Sequence, residues 1–458
     1  MTSSSPSSSP QPFGSSLKSQ FLFDPEWRNL NHGSYGATPR TIHARQLEYQ
    51  RRSESAPDSY MRYHFPTLLD ASRTAVATHL NARPETIVLV INATTAVNII
   101  LRNLTWSSDG KDEIISFSTI YGGCGKTIDY ITDTNDLVTS RVVQVSYPDD
   151  EDDVIVSRFR DAVSASREEG KRPRIAVFDM VSSQPGVRFP FELLVASCRE
   201  LNVLSLIDGA QGIGMLRLDL TALDPDFFLS NCHKWLFVPK ACAVLYVPLR
   251  HQHLMTSTLP TSHGYVSTRA TVRDNPLPRD EAKSQFVANF QSAGTVDNTA
   301  FACVADALLW RERELGGEDR IVSYLWRLAK EGGRKVAQIL GTAVIDNKKG
   351  TLTDCAMVNV WLPVRTTSSS SAVAMEFDDD LTLSESESPA AIAWATSTLV
   401  TQYKTFIPVT VHRGRWFIRL SAQLYLDLDD FEWAGRTMKE VVDRLRREEY
   451  KQAGKKAS

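Results

Sequence analysis

The chain has 458 residues, of which 42% are hydrophobic and 23% charged, an ordinary composition for a globular protein. Its net charge of −3 gives no general attraction to nucleic acid or to anionic membranes. Neither a run of about 18 apolar residues nor the apolar core of a secretory signal is present, so no membrane span and no signal peptide are predicted.

The first part of the chain alternates short apolar runs with helical periodicity. Residues 1–15, rich in serine and proline, are expected to form a disordered tail. The apolar runs that follow are Thr86–Ile91, Glu113–Phe117, Arg174–Phe178, Val203–Ile207 and Cys242–Val247. Each has the length of a strand buried on both faces, and helical segments such as Phe191–Glu200 lie between them. The pattern predicts an α/β domain with a mainly parallel sheet.

From about Asn298 the pattern changes, because long helical segments now enclose only two strand-like pieces. The helical segments are Phe301–Leu315, Ile321–Leu340, Pro389–Tyr403 and Asp429–Arg447, and the strand-like pieces are Ala356–Leu362 and Phe417–Ser421. This arrangement predicts a smaller α+β C-terminal domain over residues 298–458. Within that domain, the serine-rich and acidic stretch 366–389 is expected to be a mobile surface insertion.

Three short motifs carry residues that point to a chemistry. The strand Val203–Ile207 runs into Asp208, and ligands of open α/β sheets bind beyond the carboxyl ends of the strands. Downstream, Lys234 stands between a histidine and a tryptophan, where partial burial would lower its pKa and let it form an imine. Upstream, the stretch 92–95 follows a predicted strand and opens a helix, a place where phosphate binds. A carboxylate for a pyridine nitrogen and an imine-forming lysine, in this order, predict a pyridoxal phosphate (PLP) site.

Together these motifs resemble those of the class V aminotransferase family, whose branches include cysteine desulfurases and isopenicillin N epimerase-like enzymes. The matching stretches are Asn31-His32-Gly33-Ser34-Tyr35-Gly36, Ala93-Thr94-Thr95, Asp208-Gly209-Ala210-Gln211, Asn231-Cys232-His233-Lys234-Trp235 and Gly294-Thr295-Val296-Asp297. The resemblance implies the PLP-dependent transferase fold of type I. It assigns residues 51–297 to a large PLP-binding domain and residues 16–50 to an N-terminal segment that packs near the active site.

The resemblance also implies a role for each matching residue around the cofactor. Lys234 is then the Schiff-base lysine, Asp208 pairs with the pyridine nitrogen, and Gln211 hydrogen-bonds the phenolic oxygen of the ring. Tyr121 is expected to place its ring over the face of the cofactor. The residues expected to hold the phosphate are Ala93, Thr94, Thr95, Asn231 and His233.

On the substrate side, Arg419 matches the arginine that grips the α-carboxylate, and a planar guanidinium suits that bidentate contact. Asn31 and His32 are expected to line the substrate pocket. Thr295 resembles the phosphate contact supplied by a neighbouring subunit, which implies a homodimer. The chain departs from the family in the stretch 290–293, Phe-Gln-Ser-Ala, where a Phe-Glu-Trp is often found, and this leaves the identity of the substrate open.

Further stretches over 28–33, 120–127 and 258–264 resemble C–S lyases of this family. The implied reaction is β-elimination from a cysteine-derived sulfoxide, with Lys234 removing the α-proton. Tyr121 and Cys124 are then the candidates for the acid that protonates the departing sulfur. Two alternatives stay open, since both begin with loss of the same proton: ring closure by carbon–carbon bond formation, as in fungal alkaloid relatives, and epimerisation.

The six cysteines contain no CxxC pair and show the spacing of neither a zinc site nor a disulfide framework. We therefore expect reduced thiols in a cytoplasmic protein that binds no metal. The expected partners are a small amino-acid substrate and a second copy of the chain, and neither nucleic acid nor a membrane.

Overall fold

A seven-stranded sheet organises the larger part of the protein. The structure is a computed structural model that describes residues 10–269, 273–278, 280–367 and 377–454. In chain order the strands are β1 (Ile87–Val90), β2 (Asp112–Phe117), β3 (Val138–Val143), β4 (Arg172–Asp179), β5 (Leu204–Asp208), β6 (Phe227–Ser230) and β7 (Ala243–Tyr246). Their order in space is β1-β7-β6-β5-β4-β2-β3. All neighbouring strands pair in parallel except β7, which is antiparallel to both β1 and β6.

The central strands are apolar throughout because helices cover both faces of the sheet. In β4, Ile175 and Val177 belong to one hydrophobic cluster, whereas Ala176 and Phe178 belong to the other. Successive side chains of a strand point to opposite faces, so a strand buried on both sides has no polar alternation. The helices of this part are α1 (His32–Tyr35), α2 (Arg40–Ser55), α3 (Pro57–Ser59), α4 (Phe65–His79), α5 (Ala93–Asn103), α6 (Gly122–Asp133), α7 (Asp152–Glu168), α8 (Phe191–Glu200), α9 (Leu220–Leu223) and α10 (Gln285–Gln291).

A second, four-stranded sheet lies in the C-terminal part. Its strands are β8 (Met357–Thr366), β9 (Leu381–Leu383), β10 (Val409–His412) and β11 (Arg415–Ser421), in the spatial order β10-β11-β8-β9. The helices of this part are α11 (Thr299–Arg313), α12 (Glu318–Leu340), α13 (Ser388–Thr401), α14 (Leu428–Arg446) and α15 (Glu449–Gly454). α12 and α14 pack against each other, and α12 packs on β8.

The ends of these long helices are fixed by local chemistry. At the start of α14 the Asp427 side chain accepts a hydrogen bond from the first turn, and the Asp430 side chain accepts one from the Asp427 backbone at 3.0 Å. This capping box satisfies N–H groups that have no partner inside the helix. α12 ends at Leu340, and the next residue, Gly341, has a φ of 66°, the left-handed conformation that favours glycine.

The predicted fold class is confirmed: an α/β layer with a mainly parallel sheet is followed by a smaller α+β part. All five strands predicted in the first part are present. The pattern does not predict β3, β6, β9 and β10. β3 is an edge strand with exposed alternate residues, so it has no continuous apolar run, and the other three are only three or four residues long.

The predicted disordered tail is wrong for its last residues. The backbone N–H of Gln11 donates to the Glu314 carbonyl at 3.0 Å, and that of Gly14 donates to the Leu424 carbonyl at 2.8 Å. The ring of Phe13 packs edge-on against Tyr324, with 5.0 Å between centroids. This apolar side chain anchors residues 10–14 on the C-terminal part, whereas residues 1–9 lie outside the described residues.

The predicted insertion over 366–389 is also partly an ordered element. Leu381–Leu383 forms β9, a strand that pairs in parallel with β8. Just before it, Asp380 forms an ion pair with Arg415 at 2.7 Å, and both side chains are buried. The serine-rich composition conceals this strand because its apolar residues are few. The middle of the predicted insertion, residues 368–376, lies outside the described residues.

The two sheets fall inside the two predicted domains, whose bounds stay predictions. The proposed boundary after residue 50 lies within α2, so the N-terminal segment continues into the next part through an unbroken helix. In the part of the chain that the structure describes, none of the helices has both the length and the hydropathy of a membrane span.

Candidate active site

A cavity of about 700 Å³ opens at the carboxyl ends of the parallel strands. Asp179 ends β4, Asp208 ends β5, and Lys234 follows β6. The segments after β1 and β2 complete this side, which we call the cofactor end of the cavity. The lining residues are Gly33, Ser34, Tyr35, Asn92, Ala93, Thr94, Thr119, Ile120, Tyr121, Gly122, Asp179, Val181, Ser183, Gln184, Asp208, Ala210, Gln211, Asn231, His233, Lys234 and Arg419.

Asp208 is a buried carboxyl group with two hydrogen-bond donors of its own. Its Oδ1 accepts from the backbone N–H of Ala210 at 2.9 Å, and its Oδ2 accepts from the thiol of Cys124 at 3.2 Å. Two donors aimed at one carboxyl group match a carboxylate, which accepts hydrogen bonds and donates none. The side chain lines the cavity at the end of β5.

Lys234 carries a buried amine in the same wall. Burial lowers its pKa to about 8, although the nearby negative charge of Asp208 acts in the opposite direction. An amine with such a pKa is partly neutral near physiological pH and can then attack a carbonyl group or accept a proton. The geometry thus gives Lys234 the properties that an imine-forming lysine requires.

Residues 31–36, which include the short helix α1, hold the backbone of this lysine in place. The His32 ring donates from Nε2 to the Lys234 carbonyl at 2.9 Å, since a carbonyl oxygen can only accept, and Nδ1 accepts from the Tyr425 hydroxyl at 3.0 Å. Burial lowers the pKa of His32 to about 3, so the ring is neutral in this arrangement. Gly36 has a φ of 67°, and a Cβ at this position would collide with the carbonyl oxygen of His233.

The N-terminus of α5 forms the opposite side of the cofactor end. The Asn92 side chain caps the helix by accepting from the Thr95 N–H at 2.8 Å. The Ala93 N–H donates to the side chain of Asn231 at 2.9 Å, which ties this helix to the segment that carries Lys234. Thr94 lines the cavity at the helix end, where backbone dipoles attract an anion such as phosphate.

His233 also lines the cavity, and its Nδ1 donates to the Cys242 carbonyl at 2.9 Å. Burial lowers the pKa of His233 to about 4, so the neutral ring presents the lone pair of Nε2. The negative charge of a phosphate would favour the protonated ring, in which both nitrogens donate.

Arg419 of β11 forms the far end of the cavity, which we call the substrate end. It donates to the Ser183 carbonyl at 2.6 Å, to the Asn31 side chain at 2.6 Å and to the Ser34 hydroxyl at 2.8 Å. Its buried Nε has no hydrogen-bond partner among the described residues. None of its partners is an acid, and burial alone lowers its pKa to about 10. A guanidinium with spare donors and no counter-ion is suited to bind a carboxylate from a ligand.

Several residues predicted from the sequence occupy other positions. Asn31 orients Arg419 and does not line the cavity. His32 is fully buried, and both of its ring nitrogens form hydrogen bonds with protein groups. The prediction that His32 lines the substrate pocket is therefore wrong. Thr95 gives its N–H to the helix cap and lies outside the lining, as does Thr295.

The two candidates for a catalytic acid are placed differently. Tyr121 lines the cavity and is half exposed. Cys124 lies beneath Asp208, outside the lining, and burial followed by the charge of Asp208 raises the pKa of its thiol. Within this geometry Cys124 supports Asp208 and does not face a substrate. Gln211 lines the cavity while bonded to the Gly33 carbonyl and to the Trp235 indole, both at 2.7 Å.

The sequence analysis missed Asp179, Ser34 and Ser183. Asp179 directly follows a predicted strand, as Asp208 does, so the strand-end rule that identified one carboxyl group could have identified the other. Ser34 lies within the matching stretch 31–36, which could have pointed to it. Ser183 has no comparable signal, because its contact with Arg419 joins segments far apart in the chain.

The fold and the site together define a PLP-dependent enzyme. A carboxylate, a buried lysine amine and a helix N-terminus surround one cavity, which fits the pyridine ring, the aldehyde and the phosphate of PLP. Residues 30–349 match the family model described as aminotransferase class-V. The chain therefore belongs to the class V aminotransferase family.

Two curated relatives and one solved structure illustrate what this chain is similar to. The L-cysteine desulfhydrase-like protein lolT1 from Epichloe uncinata is 35% identical over 95% of this chain and 97% of its own length. Hercynylcysteine sulfoxide lyase from Schizosaccharomyces pombe is 28% identical over 93% of this chain and 97% of its own. Among solved structures, that of the cystine C–S lyase C-DES with its product cysteine persulfide has a TM-score of 0.68 at 18% identity, covering 91% of this chain and 98% of its own.

These comparisons confirm the predicted family, the PLP cofactor and a PLP-dependent lyase related to C–S lyases.

Proposed function

We propose that the protein is a C–S lyase that removes the sulfur substituent from Cβ of a cysteine-derived amino acid. The observation that carries this proposal is one cavity that holds both the Lys234 amine and an Arg419 guanidinium without an acidic partner. The relatives that span nearly the whole chain include a hercynylcysteine sulfoxide lyase. We therefore propose a cysteine-derived sulfoxide of this kind as the substrate, whose cleavage releases a sulfenic acid that a thiol reduces to ergothioneine.

Recognition of the amino acid begins with its α-carboxylate. Arg419 lines the cavity, and Asn31 and Ser34 hold its Nη2 in place. A carboxylate there replaces the missing counter-ion of a buried cation, so binding is favoured by charge and geometry. The α-carbon of the bound substrate then points toward the cofactor end, where Lys234 lies.

Lys234 moves the proton at the α-carbon. With a pKa of about 8, its neutral amine accepts a proton near physiological pH. PLP, when bound, supplies an electron sink for the electron pair left at the α-carbon. The carboxylate of Asp208, which accepts from the Ala210 N–H and the Cys124 thiol, would pair with the ring nitrogen of PLP.

The sulfur substituent leaves with the electrons of the Cβ–S bond and takes up a proton. Tyr121 is the proposed source of that proton, because it lines the cavity and Cys124 does not. In the three-carbon fragment that remains, the amino group is attached to a carbon of the new Cα–Cβ double bond. Water then hydrolyses its imine tautomer to pyruvate and ammonia.

The cofactor site is proposed to be completed by a second copy of the chain. Thr295 lies outside the lining of its own cavity, as expected for a residue that reaches the phosphate site of a neighbouring subunit. The adjacent Val296 is about half exposed. Sedimentation equilibrium that gives a monomer at micromolar concentration would contradict this homodimer.

Carbon–carbon bond formation and epimerisation are the two alternatives that the family resemblance implies. All three reactions need Lys234 and Arg419. They diverge only after the α-proton has been lost.

The test is to mix the holoenzyme with hercynylcysteine sulfoxide, and separately with L-cysteine, and to follow the products by mass spectrometry. Stoichiometric pyruvate, ammonia and sulfenic acid, the last reduced to ergothioneine by added thiol, support the proposal. α-Proton exchange in deuterium oxide without pyruvate would contradict elimination and favour the alternatives. The Lys234→Ala variant serves as the control for uncatalysed decay.

A further inference from the structure

A second carboxyl group lies beside Asp208 in the cofactor end of the cavity. Asp179 ends β4 as Asp208 ends β5, and the two residues are direct partners in the parallel register of these strands. Partners in register point to the same face of the sheet, and both residues line the cavity. Both are almost completely buried. The reaction proposed for the site gives Asp179 no role.

The two carboxyl groups have opposite surroundings. Asp208 receives hydrogen bonds from the Ala210 N–H and the Cys124 thiol. The Oδ2 of Asp179 is buried and has no hydrogen-bond partner among the described residues. Two neighbouring carboxylates that are both charged repel each other strongly in a buried site, so one of them holds a proton. The donors select Asp208 as the charged member.

The ionisable groups around Asp179 support this assignment. They are Asp208 on β5, Lys234 after β6, the thiol of Cys124 on α6 and the phenol of Tyr147 after β3. Burial and then the charge of Asp208 raise the pKa of Asp179 well above its usual range, while Lys234 acts in the opposite direction.

We propose that Asp179 is a positioning residue that holds the proton of this carboxyl pair, keeps Asp208 charged, and donates a hydrogen bond to the cofactor bound in the cavity. The proposal depends on the cofactor site and not on C–S cleavage, so its test uses no substrate.

The first test is infrared difference spectroscopy on the full chain at neutral pH. A protonated carboxylic acid has a C=O band separate from that of a carboxylate. The difference between wild type and Asp179→Asn should contain this band, because Asn preserves the shape of the side chain and removes the acid. The matched control is Asp129→Asn, an exposed aspartate on α6, whose difference spectrum should contain only carboxylate bands. A carboxylate band in the Asp179→Asn difference would overturn the proposal.

The second test compares the PLP affinity of Asp179→Asn and Asp179→Ala by absorbance titration. Loss of one buried hydrogen bond is expected to weaken binding about tenfold in Asp179→Ala. The Asn side chain still donates, so its affinity should be within about threefold of wild type. Equal weakening in both variants would show that the negative charge is needed, and it would overturn the proposal. Asp208→Asn provides the comparison for the loss of a charged partner.

Discussion

The two ends of the cavity are built in different ways. The cofactor end is assembled from the carboxyl ends of neighbouring strands of one sheet, and its charged groups Asp208 and Lys234 balance each other. The substrate end joins three distant segments, with Asn31 and Ser183 meeting Arg419 of the second sheet. There the positive charge has no acidic partner among the residues that the structure describes. The opposite charges at the cofactor end are therefore paired before a substrate arrives. At the substrate end, the carboxylate of the substrate supplies the negative charge that pairs with Arg419.

The difference implies that changes at one end should leave the other intact. A variant at the substrate end should retain the cofactor and lose substrate affinity. A variant at the cofactor end should lose the cofactor or the proton transfer. Four measurements test this separation, from the largest expected effect to the smallest.

Replacing Lys234 by Ala should abolish the visible absorbance of covalently bound PLP and reduce turnover by about a thousandfold or more, because the proton-transfer group is lost. Absorbance spectra and single-turnover kinetics give the measurement. Lys240→Ala is the matched control, since Lys240 is exposed on the same loop. Retained imine absorbance in Lys234→Ala would contradict the central assignment.

Replacing Arg419 by Ala should lower kcat/KM by about a hundredfold, through KM, because charged hydrogen bonds to the α-carboxylate are lost. Arg419→Lys keeps the charge without the planar fork and should lose about tenfold. The absorbance of bound PLP should be unchanged in both variants. If either variant loses the cofactor, the two ends of the cavity are not independent.

The rate at which the cofactor-free protein captures PLP should depend on pH through Lys234. Burial lowers the pKa of this amine to about 8, so the reactive neutral form predominates above pH 8 and declines below it. The capture rate should therefore fall about tenfold between pH 9 and pH 7, as followed by stopped-flow absorbance. A capture rate that stays constant down to pH 6 would show that the pKa of the Lys234 amine lies well below 8.

Cys124 gives the smallest effect. Cys124→Ser keeps a donor to Asp208 and should bind PLP within about twofold of wild type, whereas Cys124→Ala should bind about three- to tenfold more weakly. The comparison of the two dissociation constants isolates the hydrogen bond. If Cys124→Ser binds PLP normally and loses turnover, the thiol takes part in the chemistry, as the sequence motif first indicated.

The sequence predicted the cofactor end well because its signals are local. A carboxylate after a buried strand, a lysine between a histidine and a tryptophan, and a helix that opens after another strand each occupy a few consecutive residues. The strand-end rule brings the carboxylate and the helix start to one edge of the sheet without knowledge of the rest of the fold. The strand-end rule applies equally to Asp179. This residue was not predicted because Asp208 already supplied the carboxylate that a pyridine nitrogen needs.

The orientation of individual side chains was less predictable. Cys124 and Tyr121 are three residues apart, yet the first faces Asp208 in the core and the second faces the cavity. His32 belongs to a motif of the site and still makes only structural hydrogen bonds. A motif places a segment, but the packing of that segment decides which of its side chains reach the ligand.

The sequence by itself determined the fold class, the family and the cofactor, because strand patterns and motifs are written in consecutive residues. Only the tertiary structure decided which groups surround the substrate. Asn31 and Arg419 lie 388 positions apart in the chain and meet at 2.6 Å. No spacing rule encodes such a contact, since it results from the packing of the N-terminal loop against the second sheet.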